Sequence, residues 1–118
     1  MIFNRAIATL ALLMAANVAL AGGVMKGDAA AGEALVGSCV ACHGADGNSL
    51  APTFPKLAGL GERYLLKQMK DIRDGRRPVA LMAGQVDNMT DQQLADIAAF
   101  YDAQDRTAGT TDPGLVKL

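Results

Sequence analysis

The sequence predicts an all-α domain, and three observations carry that expectation. Apolar residues recur at helical spacing in two separate segments, a complete capping box opens the second of them, and almost no stretch alternates in the manner of a strand. The intervening segments are rich in Gly, Pro, Asn and Ser, the residues that punctuate helices.

The chain opens with what reads as a secretory leader. Arg5 gives a short positive region, residues 6–16 are apolar, and Ala19-Leu20-Ala21 forms an A-x-A cleavage site before Gly22. The apolar stretch 6–21 is interrupted by Thr9 and Asn17 and is shorter than the roughly 20 residues a membrane span needs, so an uncleaved anchor is the weaker alternative. The expected organisation is a signal peptide over 1–21, one domain over 22–104 and a tail or linker over 105–118. For a bacterial chain the leader implies export to the periplasm. What remains is one small domain, near the size at which a core alone gives marginal stability. It holds no Trp, and its only large aromatics are Phe54, Phe100, Tyr64 and Tyr101.

The elements follow in order. Gly27-Asp28 offers an N-cap, and the Ala-rich stretch 29–38 predicts a first helix. Residues 44–61 are dense in Gly, Pro, Asn and Ser and predict a long loop. Residues 62–73 place Leu65, Met69 and Ile72 on one helical stripe, and Asp74-Gly75 ends that helix. Thr90 and Gln93 form the capping box of a last helix, whose apolar face is Leu94, Ile97, Ala98 and Tyr101 and which reaches about Gln104.

Between the first helix and the long loop stands Cys39-Val40-Ala41-Cys42-His43. C-x-x-C-H is the pattern for covalent attachment of a c-type haem. Two thiols at this spacing can add to the two vinyl groups of one porphyrin, and the adjacent imidazole is then held beneath the iron as its proximal ligand. Cys39 and Cys42 are the only cysteines and His43 the only histidine. A structural zinc site, which takes four ligands, is therefore short of soft donors. A thioredoxin-like motif would need strands that the pattern does not supply. With aromatic bulk so scarce, haem is expected to be the centre of the core and the apoprotein to be largely unfolded.

A six-coordinate iron needs a second axial ligand, and with no further histidine a methionine thioether is the candidate. Met25 lies near the new N-terminus. Met69 falls on the inward stripe of a helix, where a flexible thioether usually packs. Met89 precedes the Thr90 cap and can staple against Leu94. Met82 stands in the loop-like segment 78–84 among small neighbours and is the first choice, with Met89 in reserve.

Together these residues make the chain similar to class I c-type cytochromes, and over 27–104 to the N-terminal haem domain of the bacterial cytochrome c4 and c554-like group. The resemblance is carried by residues 39–48, by Phe54-Pro55-Lys56-Leu57-Ala58-Gly59, by 61–68, by Met82-Ala83-Gly84 and by 94–100. It implies helices wrapped around one haem, with the first and last helices crossing at Gly32, Ile97 and Phe100. It also assigns Met82 as axial ligand and Pro55 as the residue whose carbonyl accepts a hydrogen bond from the proximal imidazole.

The chain departs from that group in one respect: cytochrome c4 has two haem domains, whereas this sequence has one C-x-x-C-H. The segment 111–118 resembles the opening of a second domain, so a natural monohaem protein and a truncated dihaem one are both open. A surface where a second domain would dock implies exposed apolar residues and leaves a homodimer open. Residues 56–77 carry seven basic against three acidic side chains, while Asp87, Asp91, Asp96, Asp102 and Asp105 make the last-helix region acidic. That asymmetry suits either a charged redox partner or ordinary solvated helix faces. A net charge of −1 and the absence of a binding motif argue against nucleic acid.

The expected function is a periplasmic one-electron carrier between a quinol-oxidising complex and a terminal oxidase or reductase, meeting the membrane surface only through those partners. It is expected not to be an enzyme. The competing class, a haem enzyme or gas sensor with an open iron position, would need a distal acid or base, and no histidine remains for it.

Overall fold

The computed structural model describes residues 25–108. The leader expected over 1–21 and the segment 111–118 lie outside the described residues. Within them the chain forms α1 (Ala29–Glu33), α2 (Val40–His43), α3 (Glu62–Arg73) and α4 (Asp91–Asp102), with a 3-10 turn at Ala80–Met82 and no strand. No helix among the described residues is long and apolar enough to cross a membrane.

Asp28 opens α1, its carboxylate accepting from the N–H groups of Ala30 at 2.9 Å and Ala31 at 3.2 Å. The helix is shorter than its Ala-rich sequence predicts. Past Glu33 the hydrogen bonds tighten, with Leu35 N–H donating to Gly32 O and Cys39 N–H to Val36 O. Val36 is buried, and Gly37-Ser38 are weak helix formers, so the chain turns inward there instead of continuing. The C-x-x-C-H motif consequently sits on its own single-turn helix, α2.

The last helix is the centre of the fold. Leu94, Ala95, Asp96, Ile97, Ala98, Ala99 and Tyr101 are all buried, because α1 packs on one side of α4 and α3 on another. The crossing with α1 leaves no space for a side chain. A Cβ on Gly32 would stand 2.0 Å from the Asp96 carbonyl oxygen and 2.9 Å from Phe100 Cβ. Thr90 and Gln93 make the capping box reciprocally, at 3.1 and 2.9 Å.

Carboxylates tie the N-terminal segment and the start of α3 to this centre. Glu62 accepts from Gly27 N–H at 2.7 Å, Asp96 from Asp28 N–H at 2.9 Å, and Asp102 from Gly61 N–H at 2.8 Å. Each satisfies a backbone donor that a helix end or a loop would otherwise leave unpaired. Asp96 and Asp102, which in the sequence look like part of an acidic surface, therefore work inside the fold.

The loop 44–61 folds about Gly47, whose carbonyl accepts from Leu57 N–H at 2.8 Å and Ala58 N–H at 3.2 Å. Gly47 has φ 76°, and a Cβ there would meet the Tyr101 ring at 2.7 Å, so this corner requires glycine on both counts. Buried Asn48 extends the fold past Gln104. Its Nδ2 donates to Asp105 O at 2.7 Å and its Oδ1 accepts from Thr107 N–H at 2.9 Å.

Candidate functional site

The loop, α2, α3, the 3-10 turn and α4 enclose one cavity of about 240 Å³. Cys39, Cys42, His43, Pro55 and Met82 all line it, so residues spread over more than forty positions of sequence converge on one space. Most of the remaining wall is apolar: Phe54, Leu57, Leu60, Leu65, Ile72, Val79, Val86 and Ile97 contribute. Among the described residues no cluster of three or more His, Cys, Asp or Glu could hold a metal by itself.

His43 is buried, and its Nδ1 lies 2.8 Å from Pro55 O. A carbonyl oxygen can only accept, so Nδ1 carries the proton and Nε2 keeps its lone pair. This bond fixes the tautomer that a metal-ligating imidazole needs. The Phe54 ring meets the His43 ring edge-on, with centroids 6.5 Å apart, and restrains it further.

The two thiols differ in setting. Cys42 is exposed, whereas Cys39 is partly buried. Burial pushes the Cys39 thiol up, and the neighbouring Ser38 and Tyr101 hydroxyls pull it partly back. Both cysteines line the cavity, Cys39 one helical turn before His43 and Cys42 directly before it, as a group joined by two thioethers and one nitrogen bond requires. The residues present fit a c-type haem in donor set, in tautomer and in the apolar character of the wall.

The methionines separate by position. Met82 ends the 3-10 turn and lines the cavity. Met69 also lines it, from α3, and packs against the buried core cluster. Met89 packs against that cluster and does not reach the cavity, and Met25 is an exposed residue ahead of α1. The stripe Leu65, Met69 and Ile72 is thus a cavity wall as much as a packing surface.

Several lining residues gave no warning in sequence. Tyr101 reads as one more apolar position on α4, yet it faces the cavity and carries a buried hydroxyl with no hydrogen-bond partner. Arg77 brings a cation to the wall, its Nη1 donating to Gln68 Oε1 at 2.8 Å. Tyr64 and Leu81 line the mouth while remaining 50% and 69% exposed.

The basic stretch around α3 is largely paired. Arg73 reaches Asp74 at 2.8 Å, Asp91 at 2.7 Å and Met89 O at 3.0 Å, Lys70 reaches Asp91 at 2.8 Å, and Arg76 reaches Asp71 at 2.8 Å. Lys67 also pairs with Asp71. The charge asymmetry visible in the sequence is therefore in part a local ion-pair network joining α3 to the start of α4.

Comparison with known proteins agrees with this geometry. The family described as Cytochrome c matches residues 29–103. The chain is 63% identical over 90 residues to cytochrome c4 of Pseudomonas aeruginosa, covering 76% of this chain and 45% of that protein. It is 49% identical over 82 residues to cytochrome c-554(548) of Halomonas halodenitrificans, covering 67% of this chain and 99% of that protein. The crystal structure of reduced recombinant cytochrome c4 from Pseudomonas stutzeri superposes with a TM-score of 0.73 at 52% identity, over 76% of this chain and 52% of that one. The chain spans about half the length of the cytochrome c4 relatives it matches.

Proposed function

The chain belongs to the cytochrome c family, and from that premise we propose that it is a one-electron carrier that cycles a single haem between its two iron states. Haem c is the cofactor, held through Cys39 and Cys42, and when bound it supplies reversible one-electron chemistry without making or breaking bonds in a substrate. With the haem bound, His43 would hold its iron through Nε2 and Met82 would offer the second protein donor. The observation that carries this reading is the convergence of His43, with Nδ1 committed to Pro55 O, and the Met82 thioether on one apolar cavity.

Each residue has a physical task. Pro55 O holds the imidazole ring at a fixed angle and keeps Nε2 available. Met82 would offer the iron a soft, neutral donor, a ligand that favours the reduced state and leaves no open position for small ligands. Apolar side chains keep water from the centre. Leu81 and Tyr64 line the cavity while remaining exposed, and would offer a contact face to another redox protein. The leader over 1–21 supports a periplasmic setting, and the partners are a quinol-oxidising complex on one side and a terminal oxidase or reductase on the other. That cytochrome c-554(548) is covered over 99% of its length supports a chain of about this domain's length as a working unit.

The test is an absorption spectrum of the haem-loaded protein, oxidised, reduced and exposed to carbon monoxide, repeated on Met82→Ala. The native protein is expected to show low-spin haem, the far-red sulfur-to-iron band when oxidised, and no response to carbon monoxide. Met82→Ala is expected to lose the far-red band and to bind carbon monoxide. Native protein that binds carbon monoxide at once would overturn the closed-site carrier and favour a haem enzyme or sensor.

A further inference from the structure

Tyr101 presents an unusual combination. Its side chain is 1% exposed, lines the haem cavity, and carries a hydroxyl with no hydrogen-bond partner, the sole such buried side-chain atom among the described residues. An unpartnered buried hydroxyl is destabilising, and native structures rarely keep one without a use. Its ring cannot swing away to water, because one edge lies so close to Gly47 that a Cβ there would stand 2.7 Å from it, and it packs edge-on against Phe100 at 5.1 Å. The position of the hydroxyl is therefore imposed by the fold.

A sulfur neighbours it in the same cavity. Cys39 packs against the same buried cluster as Tyr101, and the two groups perturb one another: burial, then the neighbouring Cys39, push the Tyr101 phenol up, well away from ionisation at neutral pH. Tyr101 thus keeps its proton and is a standing donor. A free Cys39 thiol carries its own hydrogen, but once alkylated its sulfur keeps lone pairs and no proton, and can only accept. The free thiol sulfur is at best a weak acceptor, and attachment removes its competing proton and leaves it an acceptor only, facing the Tyr101 hydroxyl.

We propose that the Tyr101 hydroxyl donates a hydrogen bond to the thioether sulfur of Cys39 in the haem-loaded protein, and that this bond biases the iron toward its reduced state. The proposal rests on haem attachment through Cys39 and is independent of whether Met82 is the distal ligand. The positive end of the O–H dipole points into the cavity, so it stabilises the electron added on reduction and withdraws density from the sulfur. Removing the hydroxyl should lower the midpoint potential and leave the ring packing intact.

The experiment compares holoprotein with Tyr101→Phe and Tyr101→Leu, reading the midpoint potential and the carbon–sulfur stretching bands by resonance Raman in H2O and D2O. Native protein is expected to show a deuterium-sensitive carbon–sulfur band, and Tyr101→Phe to lose that sensitivity and shift its midpoint downward. If native protein and Tyr101→Phe share both the midpoint and the deuterium response, and only Tyr101→Leu departs, Tyr101 is a packing residue and the proposal fails. A native protein without covalently attached haem would instead defeat the functional reading itself, and pyridine-treated spectra distinguish that outcome.

Discussion

Replacing Gly32 by alanine tests the helix crossing on which the domain depends. The added Cβ would lie 2.0 Å from the Asp96 carbonyl oxygen and 2.5 Å from its carbon. Both are backbone atoms inside α4, so no rotamer change relieves the overlap, and the helices must separate by about 1 Å to reach van der Waals contact. Overpacking of this kind costs about 3 kcal/mol, at the upper end of the usual range. Alanine offsets about 1 kcal/mol of that through its better helix propensity, leaving a net loss of about 2 kcal/mol. A domain of this size has roughly 4 to 12 kcal/mol in all, so the loss is large. Guanidinium unfolding of the haem-loaded protein, followed by far-ultraviolet circular dichroism and by the Soret band, measures it. Gly37→Ala is the matched control: nothing lies within 4 Å of its Cβ, and it should be neutral or stabilising by about 0.4 to 1 kcal/mol. A Gly32→Ala protein within about 0.5 kcal/mol of native would show that the crossing is not sterically determined in the way described.

Other consequences can be checked independently. Asn48→Ala removes the bonds to Asp105 O and Thr107 N–H, should cost about 2 kcal/mol, and should expose residues 105–108 to limited proteolysis at a rate well above native. Ion pairs hold the carboxyls of Asp71, Asp74 and Asp91 below the usual range, through Lys67, Arg73 and Lys70 respectively as the leading partners. Because these folded-state values are depressed, their contribution is complete above the ordinary carboxylate range and is lost as pH falls below about 4. Thermal unfolding should be flat from neutral pH down to that point and then fall, and it should fall less in Asp91→Asn, measured against that variant's own neutral-pH value. Arg73→Gln removes the side chain that bonds Asp74 next to α3 and Met89 O and Asp91 at the start of α4, the two ends of the segment carrying Met82. Its expected signature is a far-red band that is lost at lower alkaline pH than in native protein, read by a spectrophotometric titration.

What was legible in the sequence divides along physical lines. Local signals were sufficient where they are self-contained: the Thr90 and Gln93 capping box, the Asp28 cap, and the stop at Asp74-Gly75 all stand where the pattern puts them. The C-x-x-C-H motif was readable because covalent attachment needs fixed residue types at fixed spacing. Length was misjudged for α1, since the inward turn at Val36 depends on burial that only the whole fold creates. The roles of Asp96 and Asp102 were hidden for the same reason: a carboxylate that caps a distant backbone donor has the same letter as one in solvent. Tyr101 was concealed by its periodicity, which matches a core residue and gives no hint that the hydroxyl ends in a cavity.

The contact between Gly32 and Asp96 joins the two ends of the described domain, with Asp28 N–H bonded to a carboxylate sixty-eight positions further on. A chain exported behind an N-terminal leader delivers its first helix before its last. Until the last helix is in place, Cys39, Cys42 and His43 belong to a chain whose first helix has no surface to lie on. An α1 of five residues is too short to persist alone, so the motif emerges on an open, unfolded strand and is enclosed only when the last helix arrives. Late closure thus leaves both thiols accessible to whatever machinery joins them to the porphyrin, and makes the last dozen helical residues the step that seals the finished centre.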